Sequence, residues 1–385
     1  MHGRRAAPPP PPTRIVEMDP RIWSLLPREL LEHVLSFLPL RAFLPLRSTC
    51  KHFNSLLFAP SFVSRHSSSS STSLSSFLLL SHPNCPQHYP LYDSTAGAWH
   101  SSALSPSLLL PTSKNSSLIS ASNGLLCFSL PNSSSFLICN LLTRSRREIK
   151  FPSFPFVFEL LTFVSTPKLG YRILILASGS SRFEAFLYDS RFHSWRKVNG
   201  FDRIPGETYH QEGVYFDGRL YFATAEPFSI VRFDPEAGAT ERCGPELLPP
   251  PPHQLTFARL VSDGGERLYL VGGIGANGIA RGMKLWALRG GGGGGGLSGR
   301  WEEVESLPEP MCRKFMSVCY HNYEHVYCFW HQGMLCICCY TWPEILYYRA
   351  SRRTWHWLPK CPSLPEKWSC GFKWYSFLPE ISAMA

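Results

Sequence analysis

Residues 185–195 read AFLYDSRFHSW, an apolar run that ends in Asp189 and is followed by Trp195. The same order recurs at residues 90–99, PLYDSTAGAW, where Asp93 precedes Trp99. An apolar run, an Asp-like position and a later Trp therefore form a unit that recurs along the chain. A recurring unit is the sequence signature of a repeat architecture.

Weaker copies of the unit follow the same order. They place Asn140 before Arg146, Asp234 before Thr240 and Arg349 before Trp355. The steps from 93 to 140, 189 and 234 are 47, 49 and 45 residues, close to the roughly 50 residues of a kelch blade. Counting the markers predicts six blades, with seven as the alternative.

Paired strand signals lie between the markers. Arg172–Leu176 precedes Ala185–Asp189, and Gly213–Phe216 is joined to Arg219–Ala223 by Asp217-Gly218. An Asp-Gly dipeptide between apolar runs is a strong hairpin signal, because the turn requires positive φ. Four-stranded blades arranged radially need no long helices, so residues 74–385 are predicted to form a mainly β, kelch-like β-propeller.

The net charge of +10 permits an anionic partner, but Lys and Arg are mostly scattered. Two small basic groups occur, Arg144, Arg146 and Arg147, and Arg349, Arg352 and Arg353. No recognition helix or aromatic platform accompanies either group, so both are predicted to be solvated outer faces. We expect no nucleic-acid partner.

Cysteine usage and hydropathy indicate the compartment. The 13 cysteines are odd in number and irregularly spaced, and no secretory h-region opens the chain, which favours free thiols in a reducing compartment. No apolar run approaches the roughly 20 residues that cross a bilayer. The expected location is the cytoplasm, the nucleus or both, without a membrane partner.

No catalytic, metal or cofactor site is predicted. Cys336 and Cys339 form a C-x-x-C pair without a second pair at zinc-finger distance, so they are predicted to be buried strand thiols. Gly273, Gly275 and Gly278 have G-x-G-x-x-G spacing but lack a following helix and a placed ribose acid. The His residues are dispersed, and no nucleophile or carboxylate constellation has supporting context.

The beginning of the chain has a different texture. Residues 1–20 are Pro-rich and predict a disordered leader, and residues 67–73 are a Ser-rich linker. Between them, residues 21–66 predict three short helices. The first carries an apolar stripe, made by Leu30, Leu31, Val34, Leu35 and Leu38. A segment this small cannot easily bury both faces alone, so it should dock on a partner.

The helical segment resembles an F-box. The matching stretches are Leu26-Pro27, Glu29-Leu30-Leu31, Val34-Leu35-Ser36, Leu38-Pro39, Leu46-Arg47-Ser48 and Cys50-Lys51-His52-Phe53. The resemblance implies docking on a Skp-type adaptor, and through it on a cullin and a RING subunit. The adaptor-binding candidates are Leu26, Pro27, Leu30, Leu31, Val34, Leu35, Leu38, Leu46, Cys50 and Phe53.

The two parts together resemble plant F-box/kelch-repeat proteins. The resemblance implies a substrate-recognition subunit of a Skp-cullin-F-box ubiquitin ligase, whose propeller binds the target protein. The aromatic-rich segment around residue 335 offers four candidate target contacts, Trp330, His331, Tyr340 and Trp342. The alternatives are a propeller enzyme that acts on carbohydrate or uses a metal, a non-degradative F-box scaffold, and a plain helical hairpin packed on its own propeller.

Overall fold

The computed structural model describes residues 21, 25–69, 76–85, 88–100, 103–104, 116–130, 134–152, 158–166, 170–178, 183–198, 212–236, 246–265, 267–288, 300–364 and 369–385. The chain divides into two compact units, Met1–Thr72 and Ser73–Ala385. The predicted leader, residues 70–73 of the predicted linker and the marker position Thr240 lie outside the described residues.

The first unit is helical. Its helices are α1 (Arg28–Ser36), α2 (Leu40–Leu46), α3 (Lys51–Leu56) and α4 (Pro60–Ser69). Pro27 and Pro39 are the N-caps of α1 and α2, and Pro60 opens α4; proline suits a helix start because the first backbone N–H groups have no intrahelical partner. The described part of this unit has one helix more than expected, and α4 continues into the stretch predicted as a linker.

A small aromatic core holds the helices together. Phe43 is completely buried and Phe62 nearly so, and their ring centroids lie 5.0 Å apart. The His66 ring, also buried, packs on both of them. Its Nε2 lies 3.0 Å from the Leu38 carbonyl oxygen, so α4 is tied to the connection between α1 and α2.

The second unit contains six four-stranded antiparallel sheets. Blade 1 consists of β1 (Phe77–Ser81), β2 (Leu91–Asp93), β3 (Ala98–Trp99) and β24 (Lys373–Phe377). Blade 2 consists of β4 (Ser117–Ser122), β5 (Leu125–Leu130), β6 (Ser135–Asn140) and β7 (Arg146–Lys150). Blade 3 consists of β8 (Phe158–Thr166), β9 (Gly170–Ser178), β10 (Phe183–Asp189) and β11 (Ser194–Val198).

Blades 4 to 6 follow in chain order. Blade 4 consists of β12 (Val214–Phe216), β13 (Arg219–Ala223), β14 (Ile230–Phe233) and β15 (Glu246–Leu248). Blade 5 consists of β16 (Leu255–Ser262), β17 (Leu268–Ala276), β18 (Ile279–Leu288) and β19 (Trp301–Ser306). Blade 6 consists of β20 (Val326–His331), β21 (Met334–Cys339), β22 (Trp342–Arg349) and β23 (Thr354–Trp357). The predicted mainly β fold with a six-bladed propeller is confirmed.

Both ends of the propeller sequence meet in blade 1. Strand β24 pairs with β1 from Phe77↔Phe377 to Ser81↔Lys373 and lies beside the innermost strands β4 and β20 of the two neighbouring blades. The C-terminal strand therefore supplies the innermost strand of the first blade. Closure of this kind protects the sheet edges of a propeller.

The Asp-like marker ends the third strand of a blade and starts a turn. Asp93 Oδ1 accepts hydrogen bonds from the backbone N–H groups of Thr95 and Ala96, both at 2.8 Å. Asn140, Asp189 and Asp234 make equivalent turns through Leu142 N, Arg191 N and Glu236 N. A side chain that accepts from the backbone two residues on favours such a turn, which explains why the marker recurs.

The Trp marker joins neighbouring blades. The indole Nε1 of Trp99 donates to Pro359 O at 3.1 Å, that of Trp195 to Lys150 O at 2.9 Å, and that of Trp301 to Pro249 O at 3.0 Å. Each Trp lies in the outermost strand of its blade, and each carbonyl lies at or just after the end of the outermost strand of the preceding blade.

We expect Trp301→Phe to destabilise the propeller by about 1 kcal/mol more than Trp355→Phe. Both indoles are 8% exposed and both lie in outermost strands, but only Trp301 donates a hydrogen bond. The buried Trp355 Nε1 has no partner in the described part of the chain. Urea unfolding of both variants measures the difference, and equal losses would contradict the role assigned to the Trp301 hydrogen bond.

The glycine-rich signals are hairpin turns. Asp217 and Gly218, with φ of 46° and 78°, join β12 and β13 as predicted. The G-x-G-x-x-G stretch leads into β18 instead of a helix, with Asn277 and Gly278 in the turn at φ of 52° and 72°. A Cβ on Gly275 would come within 1.9 Å of the Ile279 carbonyl oxygen, so the spacing reflects a tight hairpin.

In the described part of the propeller unit, an α-helix interrupts the β pattern. Helix α5 (Glu309–Cys319) joins blades 5 and 6 and ends at Tyr320, which has φ of 52°. Its buried residues are Cys312, Phe315, Met316 and Cys319. This i, i+3, i+4, i+7 spacing is typical of one helix face, whereas the sequence predicted short strands and no long helix in residues 74–385.

Candidate functional site

Helix α1 presents an apolar face to solvent. Leu30 is 51% exposed, Val34 40% and Phe37 59%. They stand at positions i, i+4 and i+7, which lie on the same side of a helix; we call these three residues the α1 face. Single exposed apolar side chains are ordinary, but a contiguous set marks a site of protein interaction.

The remaining adaptor-binding candidates differ in exposure. Leu35 is 5% exposed and serves the packing of α1, so it is not available to a partner. The predicted stripe is thus divided between the two sides of the helix. Pro27 and Cys50 are exposed, and the candidates that are half-buried are Leu26, Leu31, Leu38, Leu46 and Phe53.

Sequence reasoning missed three exposed apolar residues. They are Leu25 at 81%, Phe37, and Phe58 at 52%. Leu25 precedes α1 and Phe58 follows α3, so neither belongs to the apolar stripe predicted for the first helix. The exposed Cys50 also has a local role, because its Sγ accepts from Phe53 N at 3.4 Å and caps α3.

The innermost strands of the propeller enclose a cavity of about 810 Å³. Its polar centre joins three blades: Lys373 Nζ donates to Ile119 O at 2.9 Å and to Glu212 Oε1 at 3.1 Å, and Ser120 Oγ donates to Glu212 Oε2 at 3.0 Å. Burial acts to lower the pKa of Lys373, but Tyr375 and the Glu212 carboxylate outweigh it and hold that pKa above its usual value. The ammonium therefore stays charged.

Two of the four target-contact candidates line this cavity. Trp330 and Tyr340 are half-buried there, and Trp330 stacks on Tyr269 at a centroid distance of 5.7 Å. Trp342 is half-buried against the core that blades 5 and 6 share. Its contribution to a surface contact is limited by that packing.

The fourth candidate, His331, is completely buried and cannot contact a target. Its Nδ1 lies 2.8 Å from Ser376 Oγ and its Nε2 lies 2.8 Å from Ser94 Oγ. Ser94 and Ser376 belong to blade 1, whereas His331 ends β20 of blade 6. The imidazole therefore joins the first and last blades beside the closing strand β24.

Acid is expected to weaken the propeller through His331. Burial lowers its pKa from 6.5 to about 4, so its stabilising effect is complete above pH 6.5 and is lost as the pH falls towards 4. The linkage predicts a loss of about 2 kcal/mol between pH 7 and pH 5. In urea unfolding, the free energy of unfolding of His331→Gln should lack this acid-induced loss of about 2 kcal/mol. The same pH dependence in the variant and the wild type would contradict the role given to His331.

Neither a metal cluster nor a membrane-spanning helix occurs in the described part of the chain. Within the described ranges, no three His, Cys, Asp or Glu side chains gather closely enough to hold a metal ion. Cys336 and Cys339 are buried in β21, where burial raises the pKa of each thiol. Among the helices described, none has the length and apolarity to cross a membrane.

Comparison with known families matches both units. Residues 23–68 match the family described as F-box-like. Residues 88–286 match the family described as F-box associated beta propeller domain. The second match covers about half of the 385 residues and extends from blade 1 into blade 5.

Relatives align along nearly the whole chain. An F-box/kelch-repeat protein of Arabidopsis thaliana is 51% identical over 386 positions, covering 98% of this chain and 93% of that protein. F-box only protein 6 of Arabidopsis thaliana is 26% identical and covers 89% and 71%. Protein ABERRANT PANICLE ORGANIZATION 1 of Oryza sativa subsp. japonica is 26% identical and covers 96% and 91%.

Proposed function

The chain belongs to the plant F-box/kelch-repeat proteins, and from this membership we propose that it is the substrate-recognition subunit of a Skp-cullin-F-box ubiquitin ligase. One observation carries the proposal. The F-box helix α1 exposes Leu30, Val34 and Phe37, an apolar face that a Skp-type adaptor would cover. Burial of such area supplies most of the free energy of protein association.

The mechanism is bridging. The helical unit binds the adaptor, and through it a cullin and a RING subunit, while the propeller holds a target protein. Binding both to one chain raises the effective concentration of target lysines near the charged ubiquitin carrier. The carrier supplies the covalent chemistry, so the proposal assigns no catalytic residue to this chain.

The target would bind at the central cavity, whose lining includes Trp330, Tyr340 and Gln332. The cavity combines aromatic side chains such as Trp330 with the partly exposed ion pair of Lys373 and Glu212, and this composition is typical of binding pockets. The described cysteines are free thiols, which supports a cytoplasmic or nuclear location for the complex.

Reconstituted ubiquitin transfer tests the proposal. The chain, carrying a protein captured on its propeller, is incubated with the ubiquitin carrier, with and without the adaptor, cullin and RING subunit. We expect transfer to the captured protein only in the complete assembly. Adaptor binding without transfer would instead indicate a non-degradative scaffold, and transfer by the chain alone would indicate an enzyme.

A further inference from the structure

Blade 6 departs from the turn pattern of blades 1 to 4. Its marker position is Arg349, whereas blades 1 to 4 have Asp or Asn there. A guanidinium has no acceptor, so Arg349 cannot cap the turn as Asp93 does. The turn is made through the backbone instead, with Arg352 N and Arg353 N donating to Arg349 O at 3.2 Å and 2.8 Å.

The charge of Arg349 lacks the counter-ion that the marker residue of blade 3 has. In blade 3 the marker Asp189 pairs with Arg172, its neighbour across the strands, at 3.0 Å. In blade 6 the cross-strand neighbour of Arg349 is Met334. No carboxylate in the described ranges forms an ion pair with Arg349. Arg349 thus departs from the Asp or Asn of the repeat without an evident structural gain. Departures of this kind are expected at functional positions.

Arg349 lines a cavity of about 290 Å³ at the junction of blades 6 and 1. The polar side chains that share the cavity with it are Ser76, Ser94, Thr95, Gln332 and Ser351. This volume is near the lower end of the roughly 300–1,000 Å³ of ligand sites. Gln332 and Gly333 line this cavity and the central one alike, so the two lie side by side.

The cavity wall is held in place by hydrogen bonds. Ser94 Oγ donates to Ser76 O at 3.0 Å and lies 2.8 Å from His331 Nε2. The nearby Asp93 carboxylate accepts hydrogen bonds from the backbone N–H groups of its own turn, and it lies 3.9 Å from His100 Nε2. The cavity lining itself contains one cation and no carboxylate.

We propose that this cavity binds a phosphoryl group through Arg349. The guanidinium fork matches phosphate oxygens in a bidentate arrangement, and the hydroxyl groups of Thr95 and Ser351 provide donors for further oxygens. A phosphoryl group offers three strong acceptor oxygens. Free phosphate and the phosphorylated side chain of a peptide share this chemistry. The inference does not depend on the ligase role of the chain.

Titration calorimetry of the full chain at about 0.15 M ionic strength, where charges beyond about 8 Å are largely screened, tests the proposal. Inorganic phosphate is the first probe, and a phosphoserine peptide with its unphosphorylated counterpart is the second. Arg349→Gln is expected to weaken phosphate binding by about tenfold or more, because charge-assisted hydrogen bonds are lost. The matched control is Arg352→Gln, which removes the same charge from an exposed position in the same turn and should bind within about twofold of wild type.

The two probes distinguish the sources of the phosphoryl group. Tighter binding of the phosphopeptide than of inorganic phosphate, with the same dependence on Arg349, assigns the site to a phosphorylated protein. Equal affinities assign it to the free anion. Failure of the wild-type chain to bind either probe, or equal losses in Arg349→Gln and Arg352→Gln, would overturn the proposal, provided that thermal melting shows both variants folded.

Discussion

Replacing Leu30 and Val34 together by glutamate is expected to abolish capture of a Skp-type adaptor. Both side chains are exposed, at 51% and 40%, so the change removes contact area without disturbing the buried core. Central interface residues contribute roughly 2 kcal/mol or more each. Two such losses correspond to about a thousandfold weaker binding, and burying uncompensated carboxylates adds to the loss.

The matched control is Ile279→Glu. Ile279 is 52% exposed, so this variant also replaces an exposed aliphatic side chain by glutamate, but on the propeller hairpin between β17 and β18. Pull-down with purified adaptor should recover the Ile279→Glu variant as well as wild type.

The simpler double variant Leu26→Ala/Pro27→Ala should also lose adaptor, while its propeller stays folded. Equal recovery of adaptor by all variants would contradict the assignment of the α1 face.

The second large effect is expected from Trp374→Ala. Trp374 lies in the closing strand β24, is 2% exposed and packs 5.7 Å from the ring of Trp99. Its backbone N–H also donates to the Tyr327 hydroxyl of blade 6 at 2.8 Å. Removing a buried Trp side chain costs about 3–5 kcal/mol, a large part of the roughly 5–15 kcal/mol that stabilises a typical domain.

Urea unfolding measures this loss, and Trp374→Phe is the control. Phenylalanine keeps most of the apolar contact and, like alanine, leaves the backbone N–H in place, so we expect a clearly smaller loss. A similar small loss for both variants would mean that blade 1 is not held closed by β24 packing. A changed m-value in Trp374→Ala would indicate that the ring opens before the rest unfolds.

The repeat was predictable because its marker residues have local physical roles. Asp93 and Asp189 are recognisable since each caps a turn within its own blade, and the Asp217-Gly218 hairpin follows from its need for positive φ. The closing pair of β1 and β24 joins residues about 300 positions apart, as in Phe77↔Phe377. No local pattern reports such a pairing, although the six-blade count required some form of closure.

The sites were less predictable, because exposure depends on three-dimensional packing. Leu30 and Leu35 look alike in the sequence, yet the first is exposed and the second buried. His331 lies in an aromatic-rich segment of the sequence, but in the structure it bridges two serines in the interior. Helix α5 buries Cys312, Phe315, Met316 and Cys319 at helical spacing, within a part of the chain where the repeat predicted short strands.

Amide hydrogen exchange in α1, with and without purified Skp-type adaptor, tests the central claim most directly. Few buried contacts cover this helix on its exposed side, so its amides should exchange rapidly in the free chain. The account predicts that the adaptor slows exchange across residues 28–37 and leaves the propeller strands unchanged. Unaltered exchange in α1 at saturating adaptor would contradict it.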